Sequence, residues 1–325
     1  MQPRSQIVDA PTPLVRTSRL SDKLGVELFI KRDDMAGPTL GGNKSRQLEY
    51  YFGDALAQGA DTILITGAVQ SNFSRLAASV AARLGMKAVV QLEDRVADKP
   101  PIYRQSGNTL LTKVLGAEVI SFPNGEDEEG ADAALHSIAE ELRKTGHKPY
   151  VIHLSEGHPP LGALGYVDAA KEILAQSDDF DTYVVASGSG STHAGLLAGL
   201  RGAQSGARVV GSCVRRPAAA QSSRIRRVID RLANLYPPAG SVADDDIIVW
   251  DGALSPGYGK LGVASRHAIQ TMAQYEGLHL DPVYTAKSFA AVLAQIETGE
   301  ISQGSRVCFV HTGGLAALFA YGDEL

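Results

Sequence analysis

Three short turns rich in glycine and hydroxyl side chains have the composition of ligand-binding loops. They occupy residues 67–72, 187–192 and 312–314, and each directly follows an apolar run typical of a buried strand. Open parallel sheets bind ligands at the carboxyl ends of their strands, where glycine lets the backbone approach an anion at a helix N-terminus. We therefore expect these turns to bind a ligand.

The second turn is the best candidate for a phosphate site, because its small residues leave the backbone amides open to an anion. They are Ser187, Gly188, Ser189, Gly190, Ser191 and Thr192. An ordinary helix N-cap explains the same composition and stays open as an alternative. The turn lacks the Gly-Lys-Ser/Thr of nucleotide triphosphatases, and His193 replaces the third glycine of the dinucleotide fingerprint, so neither activity is expected.

Lys44 changes the balance between these interpretations. Gly41 and Gly42 precede it and allow the backbone to pack closely. A solvated lysine at the start of a helix is the simple alternative, since most lysines are exposed. A partly desolvated lysine opposite a phosphate loop predicts a Schiff base with pyridoxal phosphate, because the neutral amine is then available.

Taken together, the turns and Lys44 resemble fold-type II pyridoxal-phosphate enzymes, specifically the D-cysteine desulfhydrase and 1-aminocyclopropane-1-carboxylate deaminase family. The resemblance extends over almost the whole chain in the family's order. Its segments are residues 11–14, 31–34, 41–50, 70–72, 187–192, 281–284 and 311–314.

The resemblance implies a role for each matching residue. Lys44 matches the lysine that binds the cofactor, and the turn at 187–192 matches the phosphate-binding loop. Asn72 matches the asparagine beside the cofactor's phenolic oxygen, and Ser71 and Asn72 are expected near the substrate. Tyr258 and Tyr284 match the two active-site tyrosines, which without the resemblance are more simply packing residues.

Thr312 matches the neutral hydroxyl that fold-type II enzymes often place near the pyridine nitrogen. A hydroxyl does not keep that nitrogen protonated as a carboxylate does, so the resemblance favours elimination of a β-substituent, with D-cysteine as the first candidate. Ring-opening deaminases carry Glu directly after the second tyrosine, where this chain has Thr285. Deamination of aminocyclopropane carboxylate and elimination from L-cysteate remain alternatives.

Phe73 departs from the family, which usually has His or Gln directly after the Ser-Asn pair. A phenyl ring cannot hydrogen-bond a carboxylate, thiol or sulfonate as those side chains can. Phe73 is therefore expected to pack on the cofactor or line the substrate pocket. It also keeps open a protein of another class, one that binds pyridoxal phosphate without catalysis.

The elements that position these residues alternate between short apolar runs and helical patterns, which predicts an α/β fold with parallel sheets covered by helices. Strands are predicted at 62–66, 88–92, 118–120, 150–152, 183–185, 209–211 and 306–310, and helices at 71–84, 107–115, 162–176, 193–204, 222–233, 261–275 and 285–298. The resemblance implies two open twisted parallel-sheet domains, residues 1–46 with 158–325 and residues 47–157. It also implies a homodimer.

Composition narrows the class of protein. The 325 residues are 44% hydrophobic and 21% charged, which excludes fibrous and disordered classes. The net charge of −5 gives no basic surface for binding nucleic acid.

The N-terminal residues lack the apolar core of a signal peptide, and Cys213 and Cys308 lie in apolar surroundings, so we expect a cytoplasmic protein with buried thiols. His153 and His158 flank Glu156 without a metal-binding motif, and no metal is expected.

Overall fold

Strands and helices alternate along residues 2–38, 40–154 and 157–325, the ranges that the computed structural model describes. The strands are β1 Leu14–Arg16, β2 Glu27–Lys31, β3 Thr62–Ala68, β4 Lys87–Glu93, β5 Glu118–Phe122, β6 Pro149–Ile152, β7 Thr182–Ser187, β8 Arg208–Cys213, β9 Ile248–Trp250 and β10 Arg306–Val310. The α-helices are α1 Ser18–Leu24, α2 Asn43–Ala57, α3 Asn72–Arg83, α4 Ile102–Gln105, α5 Gly107–Val114, α6 Glu128–Lys144, α7 Leu161–Gln176, α8 Ser191–Gly202, α9 Ala218–Leu232, α10 Val263–Glu276, α11 Thr285–Glu297 and α12 Leu315–Leu318.

The strands form two sheets with flanking helices, which confirms the predicted fold class. One sheet has the order β5-β4-β3-β6, and the other has the order β1-β2-β10-β7-β8-β9. The pairings are parallel except for β1 with β2 at one edge of the larger sheet. Every residue of β3 and β7 is buried, because helices cover both faces of these central strands.

Each strand predicted from the sequence is present, with ends that move by at most two residues. The sequence did not predict β1, β2 and β9. Two of these have only three residues, and β2 has a charged residue at each end, so none gives the continuous apolar run of a buried strand.

The two cysteines are buried free thiols, as the sequence predicts. Burial raises the pKa of both Cys213 and Cys308 to about 12, so neither is a reactive thiolate at neutral pH. In the described ranges, no helix has both the length and the apolar character that crossing a membrane requires. The domain boundaries stay a prediction, and α2 runs across the first of them.

A buried ionic network fastens the start of α2 to the larger sheet. Arg46 donates to both carboxylate oxygens of Asp33 at 2.9 Å and to Glu172 at 2.8 and 2.9 Å. Lys31 Nζ also donates to Glu172 at 2.5 Å, and the Tyr166 hydroxyl donates to Asp33 at 2.6 Å. Burial alone would raise the pKa of Asp33, but the guanidinium of Arg46 holds it below its usual value.

The network positions Lys44, which lies two residues before Arg46 in the first turn of α2. Glu172 belongs to α7 and Asp33 follows β2, so the network ties three separate segments together. Each buried charge has an opposite charge beside it, and removing one partner would leave the others uncompensated.

Replacing Arg46 with methionine should lower the free energy of unfolding by about 3–5 kcal/mol, because Asp33 and Glu172 lose their shared cation in a buried setting. Urea denaturation of the purified protein measures the loss. Arg143→Met is the matched control, since Arg143 makes an exposed pair with Glu140 one turn away, and it should cost less than about 0.5 kcal/mol. Equal losses in the two variants would contradict the role of the network.

Candidate active site

The start of α2 is held against the loop that follows β10. The Asn43 N–H donates to the carbonyl oxygen of Thr312 at 3.1 Å, and Gly42 forms an isolated β-bridge with Gly313. Gly42 has a φ of +143°, and a Cβ there would lie 2.9 Å from the Thr312 carbonyl oxygen. Only glycine fits this approach, which brings Lys44 beside the end of β10.

The amine of Lys44 is partly enclosed and lines two adjoining cavities. Its Nζ lies 3.3 Å from Gln47 Oε1 and 5.2 Å from the centre of the Phe73 ring. Burial lowers the pKa of Lys44 to about 8, because the charged amine loses its hydration. A substantial fraction of the amine is therefore neutral near physiological pH, as a nucleophile or a base requires.

The turn between β7 and α8 forms a cradle for an anion. Gly190 precedes α8 with a φ of +105°, and no acidic residue occupies the first turn of this helix. The Thr192 hydroxyl accepts hydrogen bonds from the side-chain amides of Asn43 and Gln47, each at 2.8 Å. With both acceptor positions filled, the Thr192 O–H remains to donate to a ligand, beside the free N–H groups of the helix.

The residues predicted for this turn do not all line the same cavity. Gly188, Ser189, Gly190 and Thr192 line one cavity with Lys44. Ser191 instead lines a neighbouring cavity.

The Ser187 side chain does not line the Lys44 cavity. It lies behind the turn, where its hydroxyl accepts from Gln221 Nε2 at 2.9 Å and lies 3.2 Å from His193 Nδ1. Ser187 therefore supports the loop from the sheet side.

Asn72 reaches the same cavity, and a second asparagine orients it. Asn108 Nδ2 donates to Asn72 Oδ1 at 2.8 Å, which leaves the Asn72 amide nitrogen to donate to a ligand. Asn108 is itself fixed by Arg75, whose Nε donates to Asn108 Oδ1 at 3.0 Å. Asn108 and Arg75 carry no motif of their own and were missed from the sequence.

Ser71 and Phe73 flank Asn72 at the start of α3. Ser71 is the N-cap, since its hydroxyl accepts the Ser74 N–H at 3.1 Å, and it lines the cavity together with Lys44. Phe73 also lines this cavity, and its ring contacts Tyr51 with centroids 6.1 Å apart. Phe73 therefore forms an apolar wall beside the Lys44 amine.

Tyr258 and Tyr284 meet in an adjoining cavity, which also reaches Lys44 and Ser71. Their hydroxyl oxygens are 2.6 Å apart. Burial raises the pKa of Tyr284 well above its usual value, and the adjacent Tyr258 adds to the shift. Both the tyrosine pair and the Lys44 amine are thus within one connected site.

Two buried side chains that sequence reasoning did not single out hold the tyrosines in place. Asp281 accepts the backbone N–H groups of Val283 and Tyr284, each at 2.9 Å, and so fixes the turn before α11. Lys287 Nζ donates to the carbonyl oxygens of Leu254 and Gly257 at 2.9 and 2.8 Å, directly before Tyr258.

The adjoining cavity is strongly basic. Arg95 lines it beside the tyrosines. Glu128 of α6 also lines it, together with three arginines that follow β8 or lie on α9, namely Arg215, Arg216 and Arg224. The Glu128 carboxylate pairs with Arg215 at 2.5 Å and Arg216 at 2.6 Å. Glu128 thus links α6, which packs on the smaller sheet, to arginines that follow β8 or lie on α9.

The cavity around Lys44 fits pyridoxal phosphate. Gly188, Ser189, Gly190 and Thr192 suit its phosphate, Asn72 offers an amide donor, and Thr312 offers a hydroxyl. Among the described residues that line this cavity there is no carboxylate. Thr312 therefore stays the expected neutral partner of the pyridine nitrogen.

The parallel-sheet fold, the buried lysine and the phosphate cradle define a class of cofactor-dependent α/β enzymes. Residues 7–313 match the family model described as pyridoxal-phosphate dependent enzyme. The chain belongs to this family of pyridoxal-phosphate-dependent enzymes.

Similar proteins extend over nearly the whole chain. D-cysteine desulfhydrase of Klebsiella pneumoniae is 41% identical over 99% of this chain and 97% of its own length. D-cysteine desulfhydrase of Salmonella typhi is 39% identical over 98% of this chain and 96% of its own. A crystal structure of an ACC deaminase homologue superposes with a TM-score of 0.87 and 36% identity, covering 99% of this chain and 95% of that one.

The rate at which the apoenzyme binds pyridoxal phosphate covalently should rise with pH and level off above a midpoint of about 8. Burial lowers the pKa of Lys44 from 10.5 to about 8, so the reactive neutral amine accumulates through this range. Stopped-flow absorbance at a series of pH values measures the midpoint. A midpoint near 10.5, the ordinary value for lysine, would show that the amine is solvated.

Proposed function

We propose that this enzyme catalyses α,β-elimination from D-cysteine, which together with one water yields pyruvate, hydrogen sulfide and ammonia. The names of the Klebsiella and Salmonella relatives support this substrate, because their 41% and 39% identity extends over nearly the full chain. The bound cofactor supplies the electron sink for the charge that develops at the substrate Cα. The chain's own residues bind the substrate and move its protons.

The buried amine of Lys44 is the observation that carries the proposal. With a pKa of about 8 and no carboxylate beside it in the described part of its cavity, the neutral amine can take the α-proton and hold it at Nζ. Gln47 Oε1, at 3.3 Å, accepts from the amine and orients it.

The tyrosine pair can supply a proton to the leaving sulfur. The raised pKa of Tyr284 keeps its hydroxyl protonated at neutral pH, and the 2.6 Å hydrogen bond between the two tyrosines lets either hydroxyl donate to the other. Arg95 lies beside the pair, where its positive charge stabilises a phenolate that forms briefly. The departing sulfide therefore leaves towards a protonated, positively charged wall.

The N-terminus of α3 can bind the substrate carboxylate. Its first N–H groups, those of Asn72 and Phe73, have no partner within the helix, and the helix dipole favours an anion there. Because these donors belong to the backbone, the phenyl side chain of Phe73 does not remove them. Phe73 instead makes the wall beside Lys44 apolar.

Thr285 favours elimination over ring-opening deamination of aminocyclopropane carboxylate. Its hydroxyl donates to Asp281 Oδ1 at 2.7 Å and accepts the Asp281 N–H at 2.7 Å. Thr285 is fully buried in this turn. It therefore offers the site no acid or base in the place where the deaminases carry Glu.

We also propose that the enzyme acts in the cytoplasm as a homodimer, which rests on the family resemblance. Sedimentation velocity of the purified holoenzyme tests the dimer, and fractionation of cells that express the untagged protein tests the compartment.

The purified holoenzyme should release pyruvate and sulfide in equal amounts from D-cysteine, with a kcat/KM at least tenfold above those for L-cysteine, L-cysteate and aminocyclopropane carboxylate. Lactate dehydrogenase coupling measures pyruvate, and a colorimetric assay measures sulfide. Lys44→Ala should lose nearly all turnover, whereas Lys113→Ala, at an exposed lysine of α5, should keep it. Full activity of Lys44→Ala, or a preference for another of these substrates, would refute the proposal.

Lys287→Met should lower kcat for D-cysteine by about tenfold or more while the holoenzyme keeps its visible absorption band. The variant leaves two backbone carbonyl oxygens without their donor and frees the segment that carries Tyr258, and a tenfold loss is about 1.4 kcal/mol of transition-state stabilisation. Lys260→Met is the matched control, because Lys260 is exposed in the same segment. An unchanged kcat in Lys287→Met would show that the tyrosine needs no such support.

A further inference from the structure

Three side chains outside the cofactor site converge at the open edge of the smaller sheet. Asp132 lies on α6, His153 directly follows β6, and His158 lies three residues before α7. His153 Nδ1 is 3.6 Å and His158 Nε2 is 4.0 Å from Asp132 Oδ2. All three potential ligand atoms lie within 4.8 Å of one another.

We propose that Asp132, His153 and His158 bind one divalent transition-metal ion, for which Zn²⁺ is the best match. Two imidazoles and one carboxylate are a ligand set that Zn²⁺ accepts, and water or another ligand completes the tetrahedron. The spacing of the two histidines in the sequence did not indicate a site, because the third ligand comes from a helix 21 residues before His153. Glu156, between the histidines, lies outside the described residues.

The distances are close to those of a zinc site. Ligands about 2.0–2.1 Å from Zn²⁺ in a tetrahedron lie about 3.3 Å apart. The separations of 3.6 and 4.0 Å from Asp132 Oδ2 therefore need to contract by less than about 1 Å. His153 and Asp132 are the fixed partners, with side chains 15% and 10% exposed, whereas His158 is 39% exposed and free to adjust.

A shared ion requires one rearrangement. The rings of His153 and His158 are stacked, with centroids 3.4 Å apart and planes within 5° of each other. An ion bound by both nitrogens must lie in both ring planes, and two parallel planes have no common point. The His158 ring must therefore turn out of the stack when the ion binds.

The state of His153 also points to a missing partner. Its Nδ1 atom is buried, and no hydrogen-bond partner for it occurs among the described residues. Buried polar nitrogens are nearly always satisfied. A metal ion beside Asp132 would satisfy this atom.

The approach to the cluster favours a cation. Asp132 and His158 line an open cavity that also contains four consecutive acidic residues, 126–129. Two arginines line it as well, but Arg215 is paired with Glu128 at 2.5 Å and Glu126 at 3.2 Å, and Arg216 with Glu128 at 2.6 Å. The carboxylates of Asp127 and Glu129 add negative charge beside Asp132 and raise the local concentration of a divalent cation.

Binding would join α6 and the end of β6 to the segment that leads into α7. His153 and His158 also line a second cavity, which reaches Ser189 and Ser191 of the phosphate cradle. The ion would therefore brace the connection between the two sheets close to the cofactor without touching it.

Calorimetric titration of ZnCl₂ into chelator-treated, untagged holoenzyme should show one ion bound per chain with a dissociation constant of micromolar or below. At saturation the melting temperature should rise by about 3–5 °C, and the visible band of the cofactor should not change. Turnover is a poor readout here, because the thiol of cysteine binds zinc itself. The buried thiols of Cys213 and Cys308 do not compete.

His158→Ala and Asp132→Asn should each weaken binding at least tenfold and abolish the thermal shift. His147→Ala is the matched control, because His147 also lies 3.6 Å from a carboxylate, that of Asp61, but without a second histidine in that pair. It should bind Zn²⁺ as the unchanged protein does. Absence of binding, equal affinity in His158→Ala, or a shift of the cofactor band on titration would each overturn the proposal.

Discussion

The pKa of Lys44 is depressed because burial acts on the amine without a compensating negative charge. Asp33 and Glu172 are bound by Arg46, and Glu128 is bound by its arginines. Had one of these carboxylates faced Lys44, its charge would have raised the pKa of the amine. Separating the acidic groups from the amine is the condition on which the chemistry of the site depends.

The same principle of indirect support recurs around the cofactor cavity. Asn72 is oriented through Asn108, and Tyr284 is placed by the Asp281 turn. Each supporting group is buried and makes several hydrogen bonds, so its own position is well fixed. The groups that contact the ligand are therefore held in position before it binds, so less conformational entropy is lost on binding.

Whether the sequence predicts a feature depends on how far apart along the chain the interacting residues lie. The turns after strands and the lysine after two glycines are local patterns, and they led to the correct fold class and cofactor. Partners from distant segments leave no such pattern: Glu172 lies 126 residues from Arg46, and Asn108 lies 36 from Asn72. The orientation of Ser187, which faces the sheet, likewise depends on Gln221, 34 residues away.

Phe73 shows how two effects on one amine compare in size. A fall in the pKa of Lys44 from 10.5 to about 8 corresponds to roughly 3 kcal/mol against the charged form. The Phe73 ring, 5.2 Å from Nζ, favours the charged form by only about 0.5–2 kcal/mol. Burial therefore outweighs the cation–π attraction. A phenyl ring here gives up a side-chain hydrogen bond to the substrate, but it places apolar surface beside the amine and adds no charge that would oppose the neutral base that elimination requires.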